Sequence, residues 1–557
     1  MRKIALALLA LVVSTGLVSI NGALASAKDD GNAYADYLSA HLAASQHDLP
    51  DAAQLYQSSL AGDPNNTDLL NRAFMFTAAA GDMDKAAALA ERIVKLQPTD
   101  PPARLTLAVH AFKEGDYREA RMQLAQSAKG PFQERVLALM DAWASQGAGD
   151  TKQALTDINV VVTSGGTETL AAYHRALILD LAGRNDEAEA AYKEGMASAG
   201  DSPRLVEAYG RFLERQGRTA DAQALYTRHA SNTALIAIQA QGLARLQSGR
   251  KPDRLVSTPA AGAGEVLFGI AAGLTDQNSA DLSTLYLRMS LYLSPDLDYA
   301  KVVLADRFDR LSKYDDAITA YRTVGSDSPY YAEAQIDAAL DEAKLDHNDK
   351  AISDLKSYTA SHPTDIEGWT ALGDIYRSAD QYPEAADAYD HAVKLLNPPN
   401  NNDWPLYYAR GVSEERSKNW GAAEADLLTA LKLSPDQASV LNYLGYSWVD
   451  QDRRMPEAIA MLEKARSLSP FDGYIVDSVG WAYYRQGRYQ DAAKTLLEAV
   501  LLVPGDSTIN EHLGDAYWKV GRKLDARFQW SHALAFGPDD KQKVELEAKL
   551  KDGLGRS

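Results

Sequence analysis

Cysteine does not occur in this 557-residue sequence. Disulfides, thiolate metal ligands and nucleophilic thiols are therefore excluded, as is a lipid anchor on an acylated cysteine. Positive charge is also short: 57 Lys and Arg face 76 Asp and Glu, a formal net charge of −19. A phosphate backbone or an anionic lipid surface needs a basic footprint, so the balance argues against general nucleic-acid or membrane-surface binding. The ten histidines are scattered, with no HExxH or other close ligand pair, and there is neither a P-loop nor a GxSxG elbow. The lone GxG in GAGEVLFG (262–269) lacks the third glycine and a preceding strand, and reads as a linker entering a helix. No stretch shows the period-two alternation of strands. These absences predict a non-enzyme with no cofactor and no metal, built of helices.

Long apolar runs are missing except at the N-terminus, MRKIALALLALVVSTGLVSINGALASAKDD. Arg2 and Lys3 precede an apolar segment from Ile4 that weakens towards Ile20, and small-residue sites follow at Ala23-Leu24-Ala25 and Ala25-Ser26-Ala27. This is the layout of a secretory signal over residues 1–27. The alternative is an uncleaved anchor, for which Ser14, Thr15 and Gly16 make a poor core. Cleavage would take the net charge from −19 to −21 by removing Arg2 and Lys3. The expectation is an exported, periplasmic chain with no stable membrane insertion.

What the sequence does contain is a period. In SVGWAYYRQGRYQDAAKTLLEAVLLVP (478–504), counting residue 473 as position 1 puts Gly480 at 8, Tyr483 at 11, Gly487 at 15, Ala492 at 20, Ala499 at 27 and Pro504 at 32. The next unit, 34 residues on, repeats this with Gly514, Tyr517, Gly521, Ala526, Ala533 and Pro538. Earlier units start at 438, 404, 366, 332, 298 and 264, the last degenerate at position 20. A first array on the same register starts at 33, 67, 101, 135, 169 and 203, with Ala52, Ala86, Ala120, Ala154, Ala188 and Ala222 all at position 20.

Small residues at 8 and 20 let two antiparallel helices approach, and large side chains at 4, 11 and 24 fill the space between them. Glycine at 15 ends helix A in a left-handed conformation, and proline at 32 stops helix B. One such pair cannot bury both faces, so neighbours must stack into an all-α solenoid of about 14 helix-turn-helix units. The expected organisation is a first array of six units (28–236), a linker or insert (237–263), a second array of eight units (264–540) and a capping helix with tail (541–557). Gly249, Pro252, Pro259 and Gly262 punctuate the linker as a loop crossing, either a hinge or a packed insert.

The unit with Gly/Ala at 8, Tyr at 11, Ala at 20 and 27 and Pro at 32 resembles the tetratricopeptide repeat (TPR). The resemblance implies a right-handed superhelix whose concave face is built mainly from A helices, with function at positions 2, 5, 9, 12 and 13. In the last three units this face offers Asn442, Tyr446, Tyr474, Asp477, Trp481, Tyr484, Arg485 and Trp518 as candidate protein-binding residues. Aromatics beside polar groups suit capture of an extended peptide or a partner helix. Tyr484 and Trp518, at position 12, are ordinary for the repeat, and packing between units is the favoured reading for them. Tyr446 and Trp481, at position 9, stand where a small polar residue is usual.

The overall plan, especially residues 441–500 (LNYLGYSWVDQDRRMPEAIAMLEKARSLSP through TLLEAV), is similar to that of periplasmic TPR adaptors that partner carboxy-terminal processing proteases and deliver cell-wall hydrolases to them. Those adaptors carry a lipid-bearing cysteine, which this chain lacks. The expectation is a periplasmic interaction scaffold or adaptor with protein partners and no small-molecule substrate. The alternative is an assembly or export factor for outer-membrane proteins or exopolysaccharide.

Overall fold

A computed structural model describes residues 33–162, 168–199, 202–228, 233–274 and 279–555. The predicted signal segment, residues 1–27, lies outside them. Among the described residues there are thirty α-helices and no strands. They fall into two compact units, residues 1–346 and 347–557.

The predicted register holds in both. Every alanine named at position 20 in the first array is fully buried, as are Ala317, Ala351, Ala385, Ala423, Ala458, Ala492 and Ala526 in the second. Position 8 packs on position 24: a Cβ added to Gly480 would lie 2.6 Å from Leu496 Cγ, and one on Gly514 only 2.4 Å from Trp530 Nε1. The small residue is therefore demanded by the helix crossing itself.

Position 15 is left-handed in every unit where it falls among the described residues, whether or not it is glycine. Gly81, Gly115, Gly149, Gly183, Gly217, Gly487 and Gly521 have positive φ, and so do His47, Ser312, Asp346, Asp380, Lys418 and Asp452. A non-glycine residue pays about 1–2 kcal/mol for this conformation. It is held there because the turn must return the chain to the same crossing.

The stretch 237–263 is largely helical. Residues Thr233–Ser248 form a helix, and a second helix, Pro259–Gly273, starts five residues before the predicted unit. Only 249–258 is irregular, and it is fastened: Val256 is buried, and Arg254 Nε lies 3.4 Å from Asp180 Oδ1. Pro259 occupies the first turn, where no N–H is needed, and Thr258 caps it by accepting from Ala261 N–H. Proline and the glycines at 262 and 264 mark a helix start and close approach here, where the sequence suggested a loop.

The helical hairpin Pro259–Gly273 and Ala280–Leu293 packs back onto the A-helix face of five repeats, those starting at 67, 101, 135, 169 and 203. Gly262 sits against Trp143, so close that a Cβ would fall 2.3 Å from the indole. The buried carboxylate of Glu265 accepts from Tyr173 Oη at 3.2 Å and from the Arg204 guanidinium, which also holds Glu207 at 2.6 Å. Tyr292 donates to Asp84 Oδ1 at 2.5 Å, and its carbonyl accepts from Lys113 at 2.8 Å. Tyr173, Glu207 and Trp143 stand at positions 5, 5 and 9 of their repeats, so the hairpin occupies the face the register assigns to binding. This explains why the compact division falls at 346/347 and not at the predicted linker: the linker is part of the first unit's core.

Candidate functional site

In the second unit the A helices Trp404–Arg416, Ala438–Asp450, Gly473–Arg485 and Ser507–Lys519 lie side by side. The last two begin at a side-chain cap that the sequence supplies. Asp472 accepts from the N–H groups of Tyr474 and Ile475, and Asp506 from that of Ile509. The buried stripes Val440, Leu441, Leu444 and Trp448, and Ile475, Val476 and Val479, fix the rotation of two of these helices. Residues off those stripes are left to line a groove of about 530 Å³.

Four of the predicted residues, Asn442, Tyr446, Tyr474 and Asp477, line this groove. Tyr474 is 58% exposed at its rim. Tyr446 is half-buried, and burial, with Asp477 and Asp450 adding to it, pushes its hydroxyl up to about 12. The side-chain oxygen of Asn442 is shielded from solvent and meets no donor among the described residues. Asp477 is only 6% exposed and both its oxygens lie 3.0 Å from His512 Nδ1. Burial alone would lower the His512 pKa; Asp477, with Asp515 and Glu511 behind it, outweighs burial and raises it.

The other four predicted residues do different work. Trp481 is stacked between Tyr484, with centroids 4.8 Å apart, and His512, at 4.1 Å. Tyr484 also meets Tyr489 edge-on. Arg485 reaches back to the preceding repeat, 2.7 Å from Asp452. Trp481 and Arg485 thus join repeats together, and Tyr484 braces Trp481 within its own repeat. Trp518 is a correction: its indole lies under the chain end, where a Cβ on Gly553 would approach to 2.0 Å, and Lys523 Nζ sits 3.5 Å above it.

The reason is the last helix, Asp540–Asp552, which takes the place of a further A helix. Its Lys549 bonds Glu511 at 2.6 Å and Asp515 at 2.8 Å, and Gln542 bonds Glu511 at 2.7 Å. The helix thereby covers positions 5, 9 and 12 of the final repeat.

Position counting missed His512 and Tyr443, which stand at position 6 and reach the groove from the neighbouring helix; Glu415 and Arg416, at positions 12 and 13 of the repeat before the last three, form its far wall. No recurrence marked the first two, since position 6 of the repeat between them is Ser478 and that of the repeat before is Ala409. Among the described residues no group of three or more His, Asp or Glu could hold a metal ion, and no helix is long and apolar enough to cross a membrane.

Stacked helix pairs with an open, aromatic-walled face define an interaction scaffold of helical repeats. Family profiles described as "Tetratricopeptide repeat" match residues 77–142, 336–398, 408–473 and 480–540. The chain carries tetratricopeptide repeats over these residues. A TPR repeat-containing protein of Pseudomonas aeruginosa is 30% identical over 190 residues, 33% of this chain and 30% of that protein. The cytochrome c-type biogenesis protein CcmH of Escherichia coli is 30% identical over 144 residues, 25% of this chain and 40% of that protein. The chain thus spans well under half the length of these curated relatives. Among solved structures, that of the APC/C hetero-tetramer Cut9–Hcn1 covers 88% of this chain and 97% of its own, at 15% identity and a TM-score of 0.38.

Proposed function

We propose that this chain is an exported, periplasmic, non-catalytic adaptor that holds envelope proteins on the A-helix face of its second unit and delivers them to a processing protease. The observation that carries the reading is the contrast between the two units. The A-helix face of the first is filled by its own hairpin 259–293, whereas the second presents a groove of about 530 Å³ walled by Tyr443, Tyr446 and Tyr474. Tyrosines of this kind give large contact area at low entropic cost and dominate binding hot spots.

The test is affinity capture from native envelope extract with the purified chain, followed by identification of what is retained. Recovery of a processing protease or of cell-wall hydrolases, lost when Tyr446 and Tyr474 are both replaced by Ala, supports the adaptor. Retention that ignores those substitutions removes the groove from the mechanism. A second reading, an assembly factor, draws on the likeness to a protein named for cytochrome c-type biogenesis. Enrichment of outer-membrane or export components in the same capture would favour it.

A further inference from the structure

The ligand chemistry of the groove can be specified further, resting on the reading above. We infer that the groove between Trp404–Arg416 and Ser507–Lys519 takes an extended polypeptide segment bearing lysine or arginine, not an acidic or carboxylate-terminated one.

Charge is the first argument. The walls carry four carboxylates, Glu415, Asp450, Asp477 and Asp506, against the single guanidinium of Arg416 and the imidazole of His512. Even with His512 fully protonated on Asp477 the walls stay net negative. Arg416 is itself turned over the Tyr382 ring, 5.5 Å from its centroid, and Arg485 is committed to Asp452. No cluster of free basic groups is left to bind a peptide carboxylate. Of the four acids, Asp450 is 65% exposed, and its nearest cation, Arg485, is 3.8 Å away. An incoming ammonium or guanidinium would find an acceptor there and, beside it, the half-buried ring of Tyr446 and the exposed ring of Tyr474. Aromatic faces add to the attraction for a cation once water is displaced.

The second argument is the backbone. A shielded Asn442 oxygen without a donor is costly unless something supplies an N–H, and a carboxamide can accept from one peptide N–H while donating to a peptide carbonyl. An extended chain presents both groups at its edge, with side chains alternating to either side. Asn442 stands one helical turn before Tyr446, so a strand held by its carboxamide would bring a neighbouring side chain to Tyr446 and Asp450.

A positional-scanning library of acetylated, amidated octapeptides tests this against the purified full chain. The expected outcome is enrichment of Lys or Arg at one or two positions and rejection of Asp and Glu there. The best peptide should lose at least tenfold in affinity on Asn442→Leu and at least threefold on Asp450→Asn, with unchanged helical circular dichroism. Binding should weaken on raising salt from 50 to 300 mM, as exposed charge pairs are screened. Enrichment of acidic residues, no charge preference, or tight binding indifferent to both variants overturns the inference. The adaptor reading is judged separately: if envelope proteins are still captured through Tyr446 and Tyr474 while no basic preference exists, only the ligand assignment falls.

Discussion

The His512 imidazole lies flat on the indole of Trp481, centroids 4.1 Å apart and planes within 14°. One residue comes from each of two consecutive repeats, and Asp477 holds the imidazole from the same helix as Trp481. The stack is therefore a joint between repeats, and it predicts unequal outcomes for neighbouring aromatics. Trp481→Ala should destabilise the second unit by about 2 kcal/mol, below the loss for a fully buried tryptophan. Tyr474→Ala, at an exposed rim, should stay within about 0.5 kcal/mol and act on binding alone. Urea unfolding monitored in the second unit separates the two; equal losses would mean that Tyr474 is also structural.

The same joint carries a pH dependence. The folded pKa of His512 is raised above its ordinary 6.5. Its contribution is thus fully present below that value and is lost as pH rises through the folded pKa. Thermal unfolding from pH 5.5 to 9 should show the second unit weakening with rising pH, and Asp477→Asn should flatten that limb. A limb that survives the substitution would assign the titration elsewhere.

Asp337 predicts a pH response of the first unit. Burial first, then Glu333, Asp306 and Asp341, push its carboxyl up to about 7 from an ordinary 3.8. The folded state holds the proton more tightly than the unfolded chain, so stability falls as pH rises between about 4 and 7. Asp337→Asn should raise the melting temperature of the first unit at pH 8 and leave it little changed at pH 4. Hydrogen exchange in helix Tyr331–Lys344 is the local readout.

Lys418 has φ 65° at a position where other repeats use glycine. Lys418→Gly relieves the left-handed strain of about 1–2 kcal/mol while adding unfolded-state entropy worth about 0.5–1 kcal/mol, leaving a net gain near 0.5 kcal/mol. Denaturant midpoints measure it; a loss would show that the lysine side chain contributes contacts that outweigh the backbone.

Gly262→Leu forces a branched side chain into the plane of Trp143, where even a Cβ would lie at 2.3 Å. The hairpin should lose its seat and the first unit should unfold at lower temperature, by more than the about 1–3 kcal/mol typical of modest overpacking. Near-UV circular dichroism of Trp143 reports the displacement, and an unchanged spectrum would contradict the docking.

The repeat was legible because two constraints are local: the crossing demands small residues such as Gly480 and Ala492, and the turn favours glycine at 15. Where the turn residue is Lys418 or Asp452, the same backbone was invisible, since only its neighbours impose it. The sequence left hinge and packed insert open because Pro259 and Gly262 look alike in a loop and in a helix that starts beside a tryptophan. Within the groove, Asn442 and Tyr446 followed from position counting along one helix. His512 did not, because its role depends on the next helix, and Trp518 was overestimated because the covering by Asp540–Asp552 is tertiary.

The hairpin 259–293 also changes how the length of this chain should be valued. In a solenoid, each added repeat ordinarily adds surface for a guest. Here five repeats hold a segment of their own polypeptide, with Trp143 against Gly262 and Arg204 on Glu265, and so act as a host already supplied with its guest. On the proposed reading, duplication in that half would enlarge a folded mass without enlarging recognition. Selection for new partners can therefore act on the repeats beyond residue 347 while the first half keeps its sequence for its own hairpin.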